Sequence, residues 1–313
     1  MLARASGASK HSVGMTMIAA NLPDIDVVAG LGGALTYLEY HRSYTHALVF
    51  SPLMAAIPPL LILAIFRQKL SLGSYALSLV GVLSHLLLDW TNVYGIRLLL
   101  PFSTYWARLD ITDVVDPWIL LLLLLAVAAP ALSRMVTMEI SSRAGPGPTR
   151  AWAWFALLML LAYEGGRYSA HARAVGVMES RLYNGAVAQR ISAVPARFNP
   201  LQWRGVIEGD GFVRILPVNL LETFDPSAGS IDYPATPSPA IDAARRTRPF
   251  EVFGRFCQLP FWKTTPLPEG TRIELIDLRF GTPQRPGFEA SAMVDESGQV
   301  RQSAFGFGPL NLR

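Results

Sequence analysis

Residues 47–66, ALVFSPLMAAIPPLLILAIF, run for 20 positions without a charge. A stretch of about 20 apolar residues is what a helix needs to cross the hydrocarbon of a bilayer. Pro58 and Pro59 fall inside it, and prolines are tolerated in membrane helices where neighbours satisfy the freed backbone groups. Three further apolar runs follow: 72–88, 117–133 and the shorter 151–163, the last flanked by Trp152, Trp154 and Tyr163 as an aromatic belt would be. Residues 13–33 are apolar but interrupted by Asp24 and Asp26. The expectation is an α-helical membrane domain of four to five spans. Composition agrees, with 51% hydrophobic residues, 16% charged, and mean hydropathy of +0.32.

From about residue 169 the pattern changes. FVRILPV and RIELIDLRF alternate apolar and polar residues as half-buried strands do, and stretches such as DPSAGSIDYPATPSPA break them. The reading is a membrane-embedded domain over 1–168 and a β-rich soluble C-terminal domain over 169–313, with 165–192 as a helical connector. Arg4 and Lys10, Arg67 and Lys69, and Arg134, Arg143 and Arg150 fall in segments that share one side if the spans alternate. The positive-inside rule makes that side cytoplasmic. Segments 34–46 and 89–116 and the C-terminal domain are then periplasmic, in a multi-pass protein of the bacterial inner membrane. The N-terminus lacks a small-residue cleavage site and does not read as a cleaved signal peptide. A net charge of +4 with scattered basic residues argues against a nucleic-acid partner. The one cysteine, Cys257, excludes an internal disulfide.

The outer ends of these spans collect the polar residues of interest. His85 and Asp89 are four apart on an apolar helix and share one face. Imidazole and carboxylate together suit zinc or manganese; the plainer reading is a buried His–Asp hydrogen bond that packs two helices. His41 and His46 flank Arg42 in a polar turn. Asp24 and Asp26 are two apart, a spacing that suits bridging of two cations or a helix-ending turn. Asp116 precedes Pro117 and reads as the N-cap of the next helix. Arg42 and Arg97 offer guanidinium forks for a phosphate, or contacts to lipid headgroups. His11 and His171 lack carboxylates nearby in sequence and read as structural or solvated.

ANLPDIDVV, HRSYTHAL, GVLSHLLLDWTNVYGIRLLLPFS and DPW, in that order and spacing, resemble the LexA-binding, inner-membrane-associated, metal-dependent hydrolase family, which is related to the zinc-dependent phospholipase C and nuclease group. NPLQWRGVIEGDGF extends the likeness into the soluble part. The resemblance implies Asp24, Asp26, His41, His46, His85 and Asp89 as metal ligands. Two departures stand out: the Thr-His pair that family members carry upstream is missing, with His11 not in its place, and Asp113 stands where an apolar or aromatic residue is expected.

Two functions follow as expectations. One is a metal-dependent hydrolase acting on a phosphoester of a membrane lipid or lipid-linked substrate at the outer face. In it Asp24 or Asp26 bridges metals or acts as base, and Arg42 or Arg97 holds the phosphate. The other is a non-catalytic membrane protein with a structural metal site and a periplasmic partner-binding domain. A transporter is disfavoured, because no repeat is evident and the polar residues gather at one face.

Overall fold

The computed structural model describes residues 10–67, 70–140 and 149–310. The side chain of His11 lies outside the described part. The chain divides into two compact units. The first comprises residues 1–25, 42–171 and 195–200, and the second 26–41, 172–194 and 201–313. The C-terminal boundary thus falls at 171/172, where the sequence suggested 168/169. A short early segment, 26–41, belongs with the C-terminal unit.

The first unit is helical. Helix α1 (Lys10–Asn21) ends where Pro23 opens a 3-10 turn over Pro23–Gly32. The second unit contributes the short helix α2 (Ala34–Tyr40), after which the first unit resumes with α3 (Ser51–Phe66) and α4 (Leu72–Thr91). Pro58 and Pro59 are buried within α3, which stays helical through both. Ser71 caps α4 by accepting the Ser74 N–H at 3.0 Å. Ser78, Val82, Leu86 and Asp89 are buried along α4 at three- and four-residue steps, the spacing of one helical face. Gly81 on the same helix lets α1 approach. A Cβ there would lie 3.0 Å from the Thr16 carbonyl and 3.1 Å from the Ala19 Cβ. Ala19, Met54, Ala55, Val82, Leu86 and Ile96 form the buried core of α1, α3, α4 and the loop after α4. Helix α5 (Pro117–Ile140) and helix α6 (Thr149–Glu179) complete the unit, and the chain passes into the second unit within α6.

Only two stretches among the described residues are long and apolar enough to cross a membrane, Leu48–Phe66 and Leu72–Thr91. This corrects the expectation of four to five. The apolar part of α5, Pro117–Ala129, rises about 20 Å at 1.5 Å per residue, short of a hydrocarbon core of about 30 Å. The run at 151–163 is no longer than that, because Arg150 closes one end and Glu164 and Arg167 the other. The stretch 13–33 fails because Asn21-Leu22-Pro23 ends α1 and the following turn carries Asp24 and Asp26. Residues 165–179 are not a separate connector either, being the continuation of α6.

The second unit is β-rich. Strands β1 (Arg190–Pro195), β2 (Gln202–Glu208), β3 (Val213–Asn219) and β4 (Ser230–Asp232) form one sheet in sequence order. Strands β5 (Pro260–Leu267), β6 (Gly270–Asp277), β9 (Phe288–Val294) and β10 (Val300–Phe307) form another in the order β10-β9-β6-β5, all neighbours antiparallel. The short strands β7 (Gly281–Thr282) and β8 (Arg285–Pro286) pair beside it. The two strands expected from alternation are β3 and β6. Helix α7 (Pro239–Arg245) and helix α8 (Arg248–Phe256) add apolar faces. Phe250, Val252, Phe253 and Phe256 of α8 are buried, and Phe253 and Phe256 meet Phe305 and Phe288. Helix α2 belongs here because Tyr37 packs edge-on against Phe307 at 5.9 Å and Glu39 pairs with Arg248 at 3.0 Å.

Candidate metal centre

Four of the six expected ligands converge in the first unit. Asp24 comes from the 3-10 turn after α1, His46 from the short turn Tyr44–His46, and His85 and Asp89 from successive turns of α4. One ligand atom of each lies within 4.8 Å of all the others. The His46 and His85 Nε2 atoms are 3.2 Å apart. Asp89 Oδ2 is 3.2 Å from each of them, and Asp24 Oδ1 is 3.4 Å from His46 and 3.5 Å from His85. Four donors about 2.0–2.1 Å from one zinc ion in a tetrahedron stand about 3.3–3.4 Å from each other. Five of the six edges of this quartet therefore have the length a single zinc ion requires.

The burial of the quartet points the same way. His46 is fully buried, Asp89 nearly so, and the Asp24 side chain is 43% exposed. Asp24 Oδ1 and Asp89 Oδ2, the carboxylate atoms that face the imidazoles, are themselves buried without a hydrogen bond of good geometry. Orphaned buried carboxylate oxygens are rare unless something charged satisfies them. Burial works to raise the pKa of Asp24, but the flanking imidazoles of His46 and His85 outweigh it and hold the carboxyl well below the usual range.

Surrounding side chains orient the quartet. His46 Nδ1 is 3.0 Å from Thr45 Oγ1. With Nδ1–H donating to that hydroxyl, the Nε2 lone pair faces the cluster, the arrangement ligating histidines adopt. Arg42 places Nη2 2.8 Å from Asp89 Oδ1 and donates from Nη1 to Asn92 Oδ1 at 3.0 Å. It does so from a left-handed backbone, φ 55°, an uncommon conformation for a residue with a Cβ. Asn92 in turn donates to Asp89 Oδ1 and accepts the Tyr94 and Gly95 N–H groups. Asn92 and Thr45 were missed in the sequence, although Asn92 stands three residues after Asp89 and Thr45 adjoins His46.

Asp26 and His41 lie in the second unit, as a pair with His41 Nδ1 2.7 Å from Asp26 Oδ1. The His41 ring is buried and stacks on Tyr37 at 4.5 Å. The Arg97 guanidinium lies over the Trp106 ring at 4.8 Å, and the Arg97 backbone N–H donates to the Arg42 carbonyl at 3.3 Å. Asp116 caps α5 by accepting the Trp118 and Ile119 N–H groups at 2.9 and 3.2 Å, and it also accepts the Tyr163 hydroxyl at 2.8 Å. Asp113, the departure from the family pattern, pairs with Arg197 at 2.6 Å.

Two membrane-length helices and a buried His/Asp quartet at the end of one of them define a membrane-associated protein with a candidate metal centre. A family model described as YdjM inner membrane protein matches residues 1–174, and the chain belongs to that family. The inner membrane is accordingly its location. The chain is also similar to a Bacillus subtilis (strain 168) protein described as the uncharacterized protein YfhP, 30% identical over 113 residues. That match covers 36% of this chain and 35% of the relative, so the chain spans about a third of the curated relative's length. No solved structure matches the chain.

Proposed function

We propose that the chain is a metal-dependent hydrolase of the inner membrane that acts on a phosphoester of a lipid or lipid-linked substrate. The observation that carries the metal is the set of five ligand-to-ligand distances between 3.2 and 3.5 Å in the Asp24, His46, His85 and Asp89 quartet. Two nitrogens and two carboxylate oxygens suit zinc, with manganese as the alternative where further oxygen ligands are recruited. A divalent ion held there supplies the charge that polarises a phosphoryl oxygen. His85 and Asp89 are ligands fixed on one helix face. Asp24 stays ionised and serves as a ligand at the exposed side of the quartet. Asp26 is held by His41 within the second unit. Arg42 holds Asp89 in place, and Arg97 is the cation assigned to the substrate phosphate.

With two spans, Asp24, the 42–46 turn, Asp89 and the C-terminal unit all fall on the side opposite Arg67 and Lys69. We propose that this side is periplasmic; the Lys/Arg count does not carry the orientation, because with two spans Arg4, Lys10, Arg134, Arg143 and Arg150 fall on that side too. A reporter fused after Arg313 tests this: activity confined to the cytoplasm reverses the topology.

The second reading, a structural metal site, draws on the same quartet, since four protein ligands close a tetrahedral ion whereas catalytic zinc keeps a position open. The experiment that separates the two uses the full chain in nanodiscs, loaded with zinc or manganese, with mass spectrometry of the lipids. Headgroup release that requires the metal and is lost in Asp24→Asn supports the hydrolase. Metal that raises thermal stability while every lipid stays intact supports the structural site.

A further inference from the structure

Helices α5 and α6 enclose a groove of about 490 Å3 in the first unit. Its walls include Trp118, Leu121 and Leu125 from α5 and Trp152, Phe155 and Met159 from α6. The volume lies within the roughly 300–1,000 Å3 typical of small-ligand sites, yet the lining offers almost no polar atom to recognise a polar ligand. The Tyr163 hydroxyl is spent on Asp116, and the Trp118 indole N–H donates to the Phe198 carbonyl at 2.9 Å. Both of these lie at the same end, so the groove has one polar lip and an apolar length.

That length is informative. The lining runs from Trp118 to Ala129 on α5 and from Trp152 to Tyr163 on α6. Each stretch advances about 16 Å at 1.5 Å per residue. One leaflet of a bilayer contributes about half of a hydrocarbon core of about 30 Å. The same unit carries both membrane-length helices, and the outer faces of α5 and α6 expose Leu120, Leu124, Leu158 and Leu161. These exposed leucines suit lipid surroundings for the groove.

We propose that this groove holds one acyl chain of a membrane phospholipid, with the headgroup at the Trp118–Tyr163 lip. Asp116, which forms that lip, also lines a second, smaller cavity of about 170 Å3 together with Asp89, Asn92 and Thr112. A headgroup at Asp116 thus stands at the entrance to a cavity walled by a candidate metal ligand. This deepens the hydrolase reading and rests on it for the headgroup's fate: the substrate is a phospholipid bound through one chain, not a water-soluble phosphoester.

The test places the full chain in nanodiscs of phosphatidylethanolamine and phosphatidylglycerol doped with a phospholipid carrying a photoactivatable diazirine in its acyl chain. EDTA is present, so that binding is read without turnover. Leu125 and Phe155, 57% and 53% exposed, line the groove; Leu124 and Leu158, each 58% exposed, do not. Bound chain labels Leu125 and Phe155 several-fold more than Leu124 and Leu158, and Ala129→Phe removes that excess while leaving the other two unchanged. Equal labelling of the four positions in the unaltered chain overturns the proposal whatever the variant does. So does protection of the groove residues with cross-linked dimers, which would mean that a second copy fills it. If the hydrolase reading alone is wrong, the labelling excess persists and restoring zinc releases no headgroup.

Discussion

His46 and His85 bring their Nε2 atoms within 3.2 Å of each other from segments 39 residues apart. One ring is fully buried and the other is on a membrane-length helix. Two imidazole nitrogens at that distance, with carboxylate oxygens beside both, make a ligand set that depends on each member.

Replacing His85 by Ala is therefore expected to remove bound metal while leaving folded yield close to normal. A lost ligand weakens binding more than the roughly 10- to 100-fold that follows loss of a supporting residue. Metal content and detergent-stable yield, measured side by side, check this. Full metal content in His85→Ala would refute the quartet.

Asp89→Ala is expected to differ, costing stability as well as metal. Asp89 is the carboxylate on the buried Arg42 guanidinium, at 2.8 Å. Breaking a buried pair from one side costs about 3–5 kcal/mol, and the contacts of Arg42 to Asn92 and Gly95 favour the lower end. Thermal melts in detergent should place Asp89→Ala well below His85→Ala. Equal melting points would show that Arg42 does not depend on Asp89.

Asp116→Ala should leave metal content unchanged and lower stability by about 0.5–2 kcal/mol, the cost of a lost N-cap. The residue accepts two N–H groups at the start of α5 and the Tyr163 hydroxyl. Loss of metal at normal yield would instead extend the centre into the 110–116 loop.

Glu164 gives the protein a pH-dependent stability. Burial, and then the neighbouring Asp116 carboxylate, push its carboxyl up to about 7, with Arg167 and Thr91 working against them. An acid raised in the folded state favours folding while protonated. Its contribution is fully present below the unfolded value, near 4.5, and is lost as pH rises through about 7. Glu164→Gln should flatten the melting temperature across that window. An unchanged profile would mean that another group sets it.

Gly81→Leu should separate α1 from α4. A Cβ at this position already meets the Thr16 carbonyl at 3.0 Å, and overpacking costs about 1–3 kcal/mol. Because His85 is one turn further along α4, metal affinity should fall with stability. A variant as stable as the parent would mean that the two helices part freely.

Much of this protein follows from local pattern. The uncharged run ending at Phe66 and the helix that carries His85 and Asp89 are determined by hydropathy over about 20 residues, a property of the segment alone. The i, i+4 placement of His85 and Asp89, the cap at Asp116 and the alternation in β3 and β6 are local as well. Local hydropathy overcounts the spans for the same reason: 13 apolar residues at 151–163 look like membrane until Glu164 and Arg167 on the same helix are weighed. What local pattern does not contain is which distant segments meet. His41 and His46 stand five apart, yet His46 joins the quartet while His41 pairs with Asp26 in the unit built on the C-terminal strands. The helix Ala34–Tyr40 between Asp26 and His41 packs Tyr37 on Phe307, a residue about 270 positions away. Where His41 stands depends on where Tyr37, which stacks on it, finds an apolar surface to bury, and such a surface exists only once β10 and α8 have come together in the folded chain.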